Sequence, residues 1–371
     1  MPSVKNAVYT KEYNRLQILR LLRQQPASRA ELARATGLTR AAISLITEEL
    51  IAEGLVKESA TVVENHARGR MPVLLKLCPD AMYAVGIYLT RFDCCVGICD
   101  FRGSVILQKR MRLPQQVGEL LDLLVGTVEQ LIAESGLSRD KLLGVGISAP
   151  GPVDRVAGVI LNPPEFDAFH DLAIGSSLQE RLGLNVWLEN DANAAALHNY
   201  MDGQFAGKEN FLLLMVDSGV GSGVIWNGKL LHSCELGHVS IDHRGTPCAC
   251  GSRGCLETYA STSRIMKQYP QYESWEQLVE SKDGQGALKK QAEYLAAGIV
   301  NFTNILPVET VLLCGQLGCC AGYIAPMIRA ELRGKTLALG KMEVSVLPAL
   351  CDPDRGLQEA CCIVIGRFLQ I

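Results

Sequence analysis

Apolar residues recur at positions 16, 18, 19, 21 and 22, the stripe of an amphipathic helix, and Pro26 closes it. Ser28 begins a second candidate helix with Glu31 three residues on, the pattern of a capping box, and Gly37 ends it. In the next segment Ile43, Ile46 and Leu50 share one face, which leaves Thr39, Arg40, Ala41 and Ser44 on the outer face near its start. Strand-like runs at 55–59 and 72–78 follow, separated by a polar stretch that carries His66, Arg68 and Arg70. Two short helices about a glycine turn and two such strands make the pattern of a winged helix-turn-helix. It predicts Thr39, Arg40 and Ser44 in a major groove of double-stranded DNA. Arg68 and Arg70 fall at the wing tip, where a guanidinium suits phosphate or the minor groove. A small protein-binding module with a solvated basic loop is the competing reading of the same pattern.

From residue 83 the periodicity changes. "YAVGIYL", "CCVGICD" and "SVILQKR" read as a meander of strands, a long amphipathic helix follows near 116–135, and "LLGVGIS" and "NVWLEND" add strands, an α/β layout. "FLLLMVDSGVGSGVIWNGKLL" gives a further strand, a glycine-rich connection and a hairpin turning at Asn227-Gly228. The glycines at 219, 221 and 223 suit either a phosphate cradle or close backbone packing.

With 371 residues, the chain exceeds what one core usually serves, and 48% apolar against 20% charged residues marks an ordered globular protein. It has no run long enough to span a bilayer and no basic-then-apolar leader, so a cytoplasmic location without membrane association is expected. The net charge of -3 is uneven: residues 1–80 carry 12 Lys/Arg against 8 Asp/Glu, and 81–371 carry 24 against 31. The balance of +4 and -7 points a nucleic-acid-facing first segment away from a more acidic body.

Most of the 14 cysteines lie in apolar runs such as "CCVGIC" and "LLCGQLGCC", where a reduced thiol packs as a small hydrophobe. "CACGSRGCLE" (248–257) differs, because its two glycines let the chain turn so that Cys248, Cys250 and Cys255 converge. With one imidazole, from His238 or His243, they complete a Cys3His set for structural Zn2+. Core packing or a disulfide are the alternatives.

"SAPGPVD" (148–154), "ENDANAAAL" (189–197), "ELGH" (235–238) and "CACGSRGCLE" stand in the order found in the ROK family of repressors and sugar kinases, which the chain resembles over nearly all of 81–371. The N-terminal winged helix ending in "GRMP" is similar to the family's regulators rather than its kinases. The resemblance implies a two-lobed actin-like (ribonuclease-H-like) sugar-kinase fold after a DNA-binding unit of residues 1–80. It divides 81–371 into a smaller lobe, about 81–192 plus the C-terminal helix, and a larger one, about 193–350. It assigns sugar contacts to Asn190, Asp191, Glu235, His238 and Glu257, and selects His238 as the fourth metal ligand, with His243 the fallback. Carboxylates, an amide and an imidazole answer the hydroxyls of a pyranose.

In the family's kinases Asp191 would be the general base, beside an Asp-x-Gly-x-Thr phosphate turn. Here that turn reads "GIYLTRFD" (86–93): Tyr88 stands at the Asp position, Thr90 and Arg91 at the glycines and Phe92 at the threonine, side chains expected to fill the phosphate volume. "DSGVGSG" and "CGQL" depart as well, through Asp217, Ser218 and residues 314–317. The expectation is a sugar-responsive transcriptional repressor of carbohydrate-metabolism genes, a homo-oligomer of at least two chains, without kinase activity. The alternative is a sugar kinase or a bifunctional kinase-regulator.

Overall fold

The computed structural model describes residues 4–59, 73–164, 166–202, 205, 208–232, 234–340, 343–349 and 354–371. His66, Arg68 and Arg70, the expected wing tip, lie outside the described residues.

The N-terminal unit runs α1 (Val4–Gln24), β1 (Ala27–Ser28), α2 (Arg29–Thr36), α3 (Arg40–Ala52), β2 (Val56–Ser59) and β3 (Leu74–Leu77). Ser28 caps α2, accepting from the Glu31 amide while Glu31 Oε2 accepts from the Ser28 amide at 2.7 Å, and Gly37 ends the helix at φ 72. Both ends therefore fall where their residue types place them. Sheet order is β1-β3-β2, all antiparallel, so the expected two-stranded wing gains a third, two-residue strand. Leu16, Leu19, Leu22, Leu32, Ile43 and Leu50 form the buried side of the unit.

The first large sheet takes β4 (Tyr83–Leu89), β5 (Asp93–Asp100), β6 (Val105–Arg112), β7 (Leu142–Ala149) and β10 (Val186–Asn190) in the order β10-β7-β4-β5-β6. Helices α4 (Val117–Ser135) and α5 (Ile174–Leu182) and the short ribbon β8 (Val153–Asp154) and β9 (Val159–Ile160) accompany it. A buried helix α6 (Asp191–Met201) leads to the second sheet. That sheet takes β11 (Phe211–Val216), β12 (Val220–Trp226), β13 (Lys229–Leu231), β14 (Thr310–Cys314) and β15 (Ser345–Pro348) in the order β13-β12-β11-β14-β15. Around it lie α7 (Glu257–Ala260), α8 (Thr262–Met266), α9 (Trp275–Glu280), α10 (Gly284–Thr303), α11 (Gln316–Cys319) and α12 (Ala321–Leu332). The C-terminal helix α13 (Arg355–Leu369) returns to the first sheet.

Each sheet is a three-strand antiparallel meander whose first strand pairs in parallel with a fourth strand, which pairs in parallel with a fifth, so one topology occurs twice. Between them α13 lies on β4 and β7, α6 lies on β12, and the two helices pack on each other. This is the actin-like arrangement expected. No helix among the described residues is long and apolar enough to cross a membrane.

The helix-on-sheet approach is close because glycine is used at the contact. A Cβ at Gly146 of β7 would collide with the Ala360 carbonyl oxygen of α13. Gly146→Ala is expected to lower stability by about 2–3 kcal/mol as α13 is pushed off the sheet. A urea midpoint unchanged from the parent would contradict that packing.

Candidate functional site

Two parallel strands and a helix cap build one wall of the cleft. Strand β10 ends at Asn190, whose Oδ1 accepts from the amides of Ala192 (3.0 Å) and Asn193 (3.2 Å) and so caps α6. Asp191 then sits in the first turn, where its Oδ1 accepts from the Ala192 amide at 2.8 Å. Glu189, the residue before Asn190, is buried, accepts from Asn193 Nδ2 at 2.9 Å, and faces His232 at 3.0 Å and Arg155 at 3.5 Å. His232 follows β13, so Glu189 ties the first sheet to the second beside the expected sugar contacts.

The opposite wall comes from the loops after β13. Glu235 precedes a 3-10 turn, Leu236–His238, and Glu257 opens α7 with Oε2 accepting from the Val220 amide at 3.3 Å. Glu235 lies near enough to act on the Asp191 carboxyl, and His238 and Glu257 near enough to act on that of Glu235. Burial pushes Asp191 up to about 6, with Asp217 and Glu235 adding to the shift and Arg91 opposing it. Burial also raises Glu235, helped by Glu257 and opposed by His238. Four of the five expected sugar residues are thus linked across the cleft, and the fifth, Asn190, adjoins Asp191 with its Oδ1 committed to the α6 cap.

Next to it stands the thiol cluster. The ligand atoms of His238, Cys248, Cys250 and Cys255 all lie within 4.8 Å of one another. His238 Nδ1 is 3.5 Å from Cys248 Sγ, and Cys250 Sγ is 3.6 Å from Cys255 Sγ. Thiolates at about 2.3 Å from a tetrahedral ion stand roughly 3.8 Å apart, so these two separations suit a tetrahedral site and the set could hold a metal ion. Gly254, at φ 67, permits the turn, since a Cβ there would strike the Asp242 carbonyl. The loop is zipped by Ile241 N to Gly254 O (2.8 Å) and Leu256 N to Val239 O (2.9 Å). His243 is not in the set: it is exposed, and its Nε2 accepts from Arg244 Nε at 3.1 Å.

At the far end of the cleft, Tyr88 packs its ring on Gly356 of α13. Arg355 donates to Cys314 Sγ at 3.0 Å and pairs with the fully buried Glu359 at 3.1 Å. Asp217 Oδ1 accepts from the Gln316 amide at 2.6 Å. Phe92 corrects one expectation, because it is 82% exposed and fills nothing. Thr90 folds back on Asp93 (Oγ1 to Oδ1, 2.7 Å), turning the β4–β5 hairpin so that Phe92 faces out and Arg91 reaches the Pro164 carbonyl at 3.0 Å.

In the N-terminal unit α3 shows an outer face of Arg40, Ala41, Leu45 and Glu48, all exposed. Thr39 caps the helix, its Oγ1 accepting from the Ala42 amide at 3.2 Å, and Ser44 is half-buried. Sequence reasoning missed Leu45, 58% exposed although leucine. Its place one turn after Ala41 was the available signal.

The model of the ROK family matches residues 83–366. The chain belongs to the ROK family. Residues 13–57 match the model of the bacterial regulatory protein, arsR family, a helix-turn-helix. The xylose repressor of Bacillus subtilis (strain 168) is 28% identical over 384 residues, covering 99% of each chain. A ROK family transcriptional regulator described as a homolog of E. coli MLC superposes with TM-score 0.78 at 24% identity, covering 97% of each chain. The ROK hexokinase of Thermus thermophilus superposes with TM-score 0.66 at 26% identity, covering 76% of this chain and 97% of its own.

The buried acid of the cleft has a pH signature. The unfolded Asp191 carboxyl ionises at its ordinary 3.8 and the folded one at about 6, so between those values the folded state holds a proton that the unfolded state has lost. Stability contributed here falls as pH rises through that window. Asp191→Asn should therefore stabilise the chain by about 1–2 kcal/mol at pH 7.5, and by little at pH 4. Equal melting shifts at both pH values would contradict it.

Proposed function

We propose that the chain is a cytoplasmic, sugar-responsive transcriptional repressor that binds operator DNA as a homo-oligomer of at least two copies and catalyses no phosphoryl transfer. One observation carries this reading: a helix-turn-helix with an exposed recognition face is joined to a cleft with the sugar-type residues, while Tyr88, at the family's phosphate-turn Asp position, packs on Gly356 beside the Arg355–Glu359 pair. The relative named a xylose repressor, alike over 99% of both chains, supports an aldopyranose effector, with D-xylose the first candidate. Asn190, Asp191, Glu235, His238 and Glu257 would hold it, and Zn2+ on His238, Cys248, Cys250 and Cys255 would fix the loop that aims His238 and Glu257. All four positions of the ion are then protein ligands, so it would supply shape, not an activated water.

A kinase reading keeps one supporting feature, the Asp191 carboxyl at about 6, which would suit a general base. A coupled assay with ATP, Mg2+ and a panel of pentoses, hexoses and N-acetylhexosamines separates the two. Turnover abolished by Asp191→Asn would overturn the repressor-only reading.

On DNA, Arg40 at the first position of α3 and Leu45, one turn after Ala41, would read base edges, with Thr39 and Ser44 beside them and Arg68 and Arg70 on the backbone or minor groove. Two-fold pairing of chains makes the operator a rough palindrome. In binding to duplexes enriched from random sequence, Arg40→Ala should relax base preference by about 1–3 kcal/mol at one position. Leu45→Ala should abolish any preference for thymine over deoxyuridine, which lacks the methyl. Salt-independent binding, or none, would remove the DNA reading altogether.

The metal is tested separately. The purified chain should carry about one zinc, and Cys250→Ser should lose it together with the melting shift caused by sugar, while the N-terminal unit keeps its helical signal. A metal-free chain that responds fully to sugar would return the cysteines to packing.

A further inference from the structure

One arginine crosses from the DNA-binding unit into the body, and its environment is unlike that of any surface cation. Arg23, near the end of α1, is 4% exposed. A guanidinium has five N–H donors, and here each meets an acceptor. Nε faces Phe101 O at 3.4 Å. Nη1 donates to Met201 O at 3.0 Å and Asp202 Oδ1 at 2.6 Å, and Nη2 to Arg102 O at 2.9 Å and Asp202 Oδ2 at 3.0 Å. Met201 and Asp202 are the last residue and the C-cap of α6, whose other end begins at Asn190 and Asp191. A cation at that end also meets the negative pole of the helix.

Helix α6 is suited to carry displacement rather than absorb it. Its 11 residues span about 16 Å, and all but the first and Tyr200 are buried. A Cβ at Gly223 would collide with the Ala192 carbonyl, so the helix lies directly on β12 with no layer of side chains to yield. Helix α1 is held by the body near its C-terminal end and by the recognition helix near its middle. Arg20 donates to Leu369 O (2.9 Å) and Gln370 O (2.7 Å) of the body, while Lys11 pairs with Glu49 at 2.7 Å and Arg15 pairs with Glu53, on and just after the recognition helix.

We propose that Arg23 and Asp202 are positioning residues that lock α6 to α1, so that a change at Asn190 and Asp191 on ligand binding is delivered to the recognition helix. This rests on the sugar-responsive reading above and names its route. The bidentate fork fixes both distance and angle between the helices, which a point charge would not. Loss of the fork should therefore uncouple the two sites while each continues to bind.

The test is a cycle on the full chain: operator affinity with and without saturating D-xylose, repeated with D-glucose and N-acetyl-D-glucosamine, for the parent, Arg23→Lys and Asp202→Asn. The parent should lose operator affinity by about 10-fold or more with the active sugar. Both variants should hold sugar affinity and sugar-free operator affinity within about 3-fold of the parent, yet respond to sugar by less than about 3-fold. Arg23→Met/Asp202→Ala, which leaves no unpaired buried charge, should behave alike and guards against misfolding of the single variants. A full sugar response in any folded variant overturns the strut. A uniform fall in both affinities also overturns it, reducing the pair to structural glue. A parent that binds operator but answers none of these sugars instead sinks the sugar-responsive reading, and the strut with it.

Discussion

The arrangement of the cleft depends on how closely two buried helices approach the sheets beneath them. Helix α13 reaches β7 only because Gly146 has no Cβ, and α6 reaches β12 only because Gly223 has none. Without side chains between them, helix and sheet cannot slide independently, since interiors are packed to crystal-like density. The sheets are then held at a separation set by α6 against α13, and the residues that line the cleft inherit that geometry. Asn190 and Asp191 are the clearest case, because their positions follow from the strand-to-helix junction and the Asn190 cap.

Acid groups gathered on so rigid a frame are costly. Burial raises Asp191, Asp217 and Glu235, and pushes Glu359 up to about 8 with Asp191 and Asp217 adding to it. Part of that cost is offset by partners within the chain, Arg355 for Glu359 and Asp217, and the Ala192 amide for Asp191.

Local signals in the sequence were read correctly where the physics is local. Ser28 and Glu31 cap α2, Gly37 stops it, and Asn227 and Gly228 both take positive φ at the tip of their hairpin. The thiol cluster was legible for the same reason: its three cysteines and their glycines lie within eight residues, and only the choice between His238 and His243 needed more than spacing. What escaped was long-range. Phe92 was expected to fill the phosphate volume, but the Thr90 to Asp93 turn directs it outward, an outcome fixed by which face of a hairpin tip meets the body. Arg23 lay in a helix read as ordinary and amphipathic. Its acceptors are 78 to 179 residues away, and no periodicity reports them.

The phosphate end of the cleft has a related logic. In phosphoryl transfer the positive charge there belongs to a metal-nucleotide that arrives and departs. Here Arg355 supplies a cation that is part of the chain, set between Glu359 on its own helix and Cys314 of the second sheet, within reach of Asp217. Contact between the two sheets at that end is consequently independent of any second ligand. The Glu189–His232 contact joins the sheets in the same way beside Asn190 and Asp191, so both ends of the cleft carry a bridge between residues of the chain. A ligand can shift such a cleft only by its differential affinity for the arrangements that these contacts permit.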